Sequence, residues 1–294
     1  MSSWVDAYAA TILNGLALGS VLFLIAIGLS LVFGTMDVMN LAHGTVSLIG
    51  AYVGVAMYDT TPSTGMFVLA VAFAAIVGFA AGCLLAAMTS PVRNHLRQAL
   101  LTLGMALVGA ELIREVFGAQ VQSVPAPGFL SGTVAIFGNP YPIYRIAMIV
   151  AGAVIALVLY VVLERTRAGA IVRATVADRA MVEAIGIRTK LVLALVFGCG
   201  AALAAVGGLL AAPILGAQAG LDDQILLLAL VIVVIGGLGS LRGALLGALV
   251  VGQVQTLGVI LTGDFAPFLL FTALATVLLL KPQGLMPART GVHA

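Results

Sequence analysis

Asn40, His43 and Ser47 are the residues of this chain best spaced to act together, because positions i, i+3 and i+7 fall on one face of a helix. A neutral imidazole beside an amide and a hydroxyl can hold a solute through hydrogen bonds, or fasten one helix to another. Both readings stay open, and Gln253 with Thr256 forms a smaller set of the same kind, with Gln255 turned to another face. Asn14 and Thr102 are isolated. Glu111, Arg114 and Glu115 share a helical face, where mutual pairing is the simpler role than a proton relay. His43, His95 and His293 are too scattered to suggest a zinc site or a catalytic triad. Neither Lys190 nor Lys281 follows the glycine pattern of a phosphate-binding loop, so this chain is not expected to hydrolyse ATP by that route. Cys83 and Cys199 lie inside apolar stretches and read as small buried hydrophobes. No catalytic residue, metal site or cofactor is expected, and no nucleic-acid partner.

The elements that position these residues are set by lipid. Of 294 residues, 62% are hydrophobic and 8% charged, far below the roughly 25% charge of a soluble domain. A hydrocarbon core about 30 Å thick takes about 20 apolar residues per helix. Nine such runs occur, at 11–34, 38–58, 66–88, 98–118, 143–163, 191–215, 224–238, 243–261 and 265–280. Period-two alternation is absent, which favours helices over a barrel. The fold class expected is all-α, a polytopic transmembrane helix bundle forming one domain over 1–294. The seventh and last runs are short, so one or two of the nine can be broken or re-entrant, leaving eight or nine true spans. Residues 1–10 carry no Lys or Arg, so the first run is expected to be retained rather than cleaved as a signal.

If all nine runs cross, Arg93, Arg97, the six basic residues from Arg165 to Lys190, Arg242, Lys281 and Arg289 fall on one face. Arg114 and Arg145 fall on the other. Short basic loops stay cytoplasmic, which puts the C-terminus inside and the N-terminus outside. The opposite face collects Asp6, Asp59, Glu111, Glu115, Asp222, Asp223 and Asp264. Ionisable groups at bilayer depth are costly and mark function, and almost none is expected here.

Two segments lie outside the membrane. Residues 119–142, with Pro125, Pro127, Gly128, Gly132, Pro140 and Pro142, forbid a long helix and read as an ordered external loop. Residues 164–190 set charged residues around Ile171, Val172, Val176, Met181, Val182 and Ile185, and should form short amphipathic helices on the cytoplasmic side. Glycines four apart (Gly15 with Gly19, Gly78 with Gly82, and Gly239, Gly243 and Gly247 in series) allow close helix packing. They serve either static packing or sliding between helices, with Gly236, Gly237, Gly239, Gly243 and Gly247 the candidates for gating.

Four stretches carry a resemblance. GLSLVFGTMDVMNLAHGTVSLIGAY at 28–52, with its NLAHG core, is similar to the N-terminal signature of branched-chain amino acid ABC-transporter permeases. ERTRAGAIVRATVADRAMVEAIGI at 164–187 resembles that family's cytoplasmic loop, VVIGGLGSLRGALLGALVVG at 233–252 its glycine-rich segment, and KPQGL at 281–285 its C-terminal end. The length suits the shorter of the two permease subunits. The resemblance implies a second permease subunit, two cytoplasmic ABC ATPase subunits and an external or periplasmic solute-binding protein as partners, in a bacterial-type inner membrane. It also implies a coupling helix, carried over to Asp178, Arg179, Ala180, Met181, Val182, Glu183, Ala184 and Ile185, with Gly186 as its C-cap. The Glu-Ala-Ala then Gly consensus of many importer permeases is absent, since Ala180, Met181 and Val182 precede Gly186. A permease of a urea, amide, sugar or nucleoside importer is the nearest alternative. A stand-alone secondary transporter would show charged residues within spans or inverted repeats.

Overall fold

Residues 2–36, 40–58, 62–92, 94–136 and 139–286 are described by the computed structural model; Asp37, Asp59, Arg93, Arg289 and His293 lie outside them, as do the side chains of Asp6 and Asp264. Among the described residues the helices are α1 (Ser2–Met36), α2 (His43–Met57), α3 (Thr64–Thr89), α4 (His95–Phe117), α5 (Ile143–Arg165), α6 (Arg167–Ala177), α7 (Arg179–Ala184), α8 (Thr189–Leu215), α9 (Leu221–Gly236), α10 (Leu241–Thr262) and α11 (Ala266–Leu280). The chain is an all-α polytopic bundle. Each of the nine apolar runs holds one helix, and five segments are long and apolar enough to cross a membrane: Tyr8–Thr35, Thr64–Thr89, Ile143–Arg165, Thr189–Leu215 and Leu241–Thr262. The helices α2 and α11 are apolar but only 15 residues long, about 22 Å at 1.5 Å per residue, short of a full crossing. α4 has the length but carries Arg97, Glu111, Arg114 and Glu115.

Helix starts are marked by short polar side chains that satisfy the otherwise orphaned first-turn amides. Ser63 accepts from the Met66 amide, Asn94 from Leu96 and Arg97, Thr166 from Gly169, and Ser240 from Gly243. The proline-rich stretch after α4 holds no long helix, and it contains strand structure that the sequence does not show. It folds a two-stranded hairpin, β1 (Thr133–Ile136) against β2 (Asn139–Pro142), with Val134 opposite Tyr141. Pro140 and Pro142 are tolerated because both strands are edges, where a missing N–H costs no ladder bond. Gln122 also exchanges backbone hydrogen bonds with Ala217, and the Gly128 amide donates to Pro62. These contacts gather the ends of α3, α4, α5 and α8 at one end of the bundle; α6 and α7 lie at the other.

The centre is α8. Phe197, Ala201, Ala204 and Ala205 are essentially inaccessible, and α1, α2 and α3 all lie against this helix. Glycines set the approach. A methyl at Gly78 would lie 2.6 Å from the Ala205 Cβ, and one at Gly82 2.6 Å from the Ala201 Cβ. A Cβ at Gly50 or Gly208 would run into the carbonyls of Ala205 and Ser47. Lipid tails are as apolar as leucine, so association rests on such close packing instead of on expelled water.

Replacing Gly208 with Val is therefore expected to force α2 from α8 and destabilise the bundle by about 1–3 kcal/mol or more. Gly65→Ala, where nothing lies within 4 Å, should leave stability unchanged. Thermal unfolding of both variants in detergent checks the contrast, and equal stabilities would contradict this packing.

Candidate functional site

α2 does not start where α1 ends. The His43 Nε2 lies 2.8 Å from the Ile25 carbonyl oxygen, and Ile25 precedes the end of α1 at Met36 by eleven residues, roughly 16 Å of helix. A carbonyl only accepts, so Nε2 donates and Nδ1 carries the lone pair. Asn40 Oδ1 accepts from the Ala42 amide at 3.2 Å, and the Asn40 carbonyl accepts from the His43 amide at 3.3 Å, forming the turn into α2. The Leu41 amide donates to Thr102 Oγ1 at 3.2 Å. Asn40, His43 and Ser47 are thus brought together and fully buried, at 1%, 1% and 0% exposure. Asn40 and His43 act in helix contacts, while Asn40 Nδ2, His43 Nδ1 and Ser47 Oγ have no hydrogen-bond partner among the described residues.

A second helix begins at the same depth. Thr45 Oγ1 donates to Asp222 Oδ2 at 3.1 Å and also contacts the Ala106 carbonyl at 3.4 Å; Ala106 is halfway along α4. The Asp222 backbone packs on Gly44, where any Cβ would collide with its carbonyl. From this meeting point α2 runs toward the hairpin end and α9 the opposite way, each with its positive N-terminus inward. Asp222, 6% exposed, places a carboxylate between them. The sequence reading counted Asp222 as an outer-face acid; the structure puts it in the interior. Its only sequence signal is its position at the edge of a run too short to span.

Gln253 and Thr256 do not join this cluster. They lie on α10 against Gly15 of α1, with Gln253 Nε2 donating to the Ile12 carbonyl at 2.9 Å and Thr256 Oγ1 bonded to Gly252 of its own helix. Asn14, also on α1, accepts from Arg145. The glycine-rich segment is a tight turn between antiparallel α9 and α10. Gly236 and Gly243 pack backbone to backbone, Gly247 lies on the Ile232 carbonyl, and Gly237 and Gly239 have φ of 105° and 71°. The Leu285 and Met286 amides donate to the Ile235 and Gly236 carbonyls at 2.8 and 2.9 Å, closing the last turn of α9. Among the described residues, no group of three or more His, Cys, Asp or Glu is placed to hold a metal ion.

The 164–190 segment forms two short helices, as its amphipathic pattern indicates. Asp178 caps α7 by accepting from the Met181 amide at 2.9 Å. Gly186, at φ 87°, closes it, with its amide on the Glu183 carbonyl and the Ile187 amide on Val182, the paired bonds of a Schellman motif. Arg179 Nε bridges Glu183 Oε1 at 3.0 Å and Thr189 Oγ1 at 3.2 Å, and Thr189 donates to Glu183. This lashes α7 to the first residue of α8. Val182 is buried, whereas Met181 and Ile185 are 66% and 68% exposed, one turn apart on the outward face.

Two outcomes are expected. Thr45→Val strips Asp222 of its donor and should cost about 1–3 kcal/mol in thermal stability, while Thr45→Ser retains it. The hydrogen bonds from Thr189 and Arg179 hold the Glu183 carboxyl below the usual carboxylate range. Such a group stabilises the lashing above its unfolded pKa and loses that contribution as pH falls through the folded value. Protection of the α7 amides, taken relative to the intrinsic exchange rate at each pH, should fall in acid, and Glu183→Gln should abolish that pH dependence of protection.

Comparison with known proteins gives one family. Residues 11–280 match the family model described as branched-chain amino acid transport system, permease component. The chain is 31% identical over 297 residues to the high-affinity branched-chain amino acid transport system permease protein BraD of Pseudomonas aeruginosa, covering 95% of both chains. It is 30% identical over 295 residues to the corresponding LivH of Escherichia coli K12, covering 93% of each. A probable branched-chain amino acid transport permease of Methanocaldococcus jannaschii is 26% identical over 253 residues, 81% of this chain and 77% of that one. No solved structure matches. The chain is a multi-pass membrane protein of the branched-chain amino acid transport permease family.

Proposed function

We propose that this chain is the permease subunit of an ATP-driven importer, forming with a second permease subunit a path for branched-chain amino acids. Two cytoplasmic ATPases drive it, and a solute-binding protein delivers the cargo from the far side. The observation that carries this reading is α7. A six-residue helix capped at both ends, tied through Thr189 to the central helix, and presenting Met181 and Ile185 outward is built to be pushed by another protein. Exposed anchors of this kind lose their cost when a partner pocket covers them.

The charge pattern supports an inward placement for α7. The basic residues of 164–190, with Arg242 and Lys281, lie at its end of the bundle, whereas Arg114 and Arg145 lie at the hairpin end. Under the positive-inside rule the α7 end faces the cytoplasm and the hairpin end faces the binding protein. Gly236, Gly237, Gly239, Gly243 and Gly247 suit a hinge between α9 and α10. Of the candidate path residues, Asn40, His43 and Ser47 line the interior junction of α2; Gln253 and Thr256 fasten α10 to α1.

The test is leucine, isoleucine and valine uptake into proteoliposomes holding the chain with its partner permease and ATPases. Uptake should require ATP and loaded binding protein. Met181→Asp combined with Ile185→Asp, both at exposed positions, should reduce binding-protein-stimulated ATP hydrolysis at least about tenfold, the scale of ~1.4 kcal/mol. Undiminished coupling in a fully assembled complex would refute the docking role of α7.

A further inference from the structure

A cavity of about 170 Å³ lies beside the α2–α9 junction, between α4 and the start of α9. Its apolar wall is Leu103, Leu107 and Leu226; its charged groups are Glu111, Arg114, Asp222 and Asp223. At ~30 Å³ per water, this is room for about six waters or one small solute.

The charges are arranged asymmetrically. Arg114 uses one nitrogen on Glu111, at 2.7 Å, and both side chains are about half exposed, so most of its five donors remain for another acceptor. Asp222 has one oxygen on Thr45. Asp223, the next residue, is exposed, and no side chain caps the α9 N-terminus from Gly220. Asp222 reaches the level of Ala106, halfway along α4, where a carboxylate facing lipid is costly, while Glu111 and Arg114 sit nearer the hairpin end of α4 and are half exposed. An acid at that depth beside a cavity with charged walls fits a water-filled route.

We infer that this cavity is a transient binding site for zwitterionic aliphatic amino acids on their way through the membrane. Arg114 takes the carboxylate, Asp223 takes the ammonium, and Leu103, Leu107 and Leu226 receive the branched side chain. A guanidinium and a carboxylate facing one small space select a solute carrying both charges, and the leucine wall selects one with an apolar body. Glu111 holds the guanidinium in place as a positioning residue. The inference rests on the permease reading above, since it supplies that reading with a site in this chain.

The experiment is uptake by the reconstituted full complex at saturating loaded binding protein, with assembly checked by co-purification. Arg114→Gln and Asp223→Asn should each lower leucine uptake at least about tenfold, and Arg114→Lys should recover part of it. Leu107→Phe, which fills the cavity and touches no charge, should slow leucine more than the smaller valine and lower the leucine-to-valine ratio. Charge variants that assemble and carry leucine within about twofold of the unsubstituted complex would overturn the site. Should a charge variant fail to assemble, the Leu107→Phe ratio decides, and an unchanged ratio counts against the site. An unsubstituted complex that moves none of the three branched-chain amino acids sinks the permease reading, and the site with it.

Discussion

Two helices that start in the middle of a membrane bundle bring first-turn backbone amides to a depth where partners must be found for them, and the core must answer that constraint. In α2 the answer is local. Asn40 folds its side chain back onto Ala42, Thr102 receives Leu41, and His43 spans to the carbonyl of Ile25. α9 has no side-chain cap at Gly220; there Asp222, in the first turn, ties the helix start to α2 by accepting the Thr45 hydroxyl. The carboxylate between two positive helix ends is favoured by both dipoles. The NLAHG stretch is thus first a structural device that starts a helix deep within the bundle.

That junction is mechanically close to the charged end of the molecule. α8 runs from Thr189, held by Arg179 and Glu183, to Gly208, which touches the Ser47 backbone beside the junction. Its small residues admit α1, α2 and α3 at near-backbone distance, leaving few side chains whose rearrangement could absorb a displacement. On the proposed function, a push on α7 reaches the start of α2 through one continuous helix.

Much of this is legible in the sequence, because helix length in lipid is fixed by hydropathy and α7 is bounded by Asp178 and Gly186, each with a local mechanism. What escaped were features that depend on depth and partners. Hydropathy cannot distinguish an acid in a loop from one folded inward beside Thr45, so by sequence Asp222 reads as an outer-face acid. A run that begins at 38 looks like an ordinary span, although its helix begins only at His43. The hairpin at 133–142 hid because prolines mask strand character, and an isolated pair of edge strands has no alternating apolar face to advertise it. The four-residue glycine spacings were informative for the converse reason: their meaning, close approach, is local to the helix that carries them.

The segment after α11 has a bearing on how the chain is made. Ile235 and Gly236 emerge from the ribosome well before Leu285 and Met286, whose amides they must eventually accept. During synthesis the carbonyl end of α9 therefore waits, open, while α10 and α11 are inserted. Closure of the last turn of α9 is thus one of the final steps in assembling the chain.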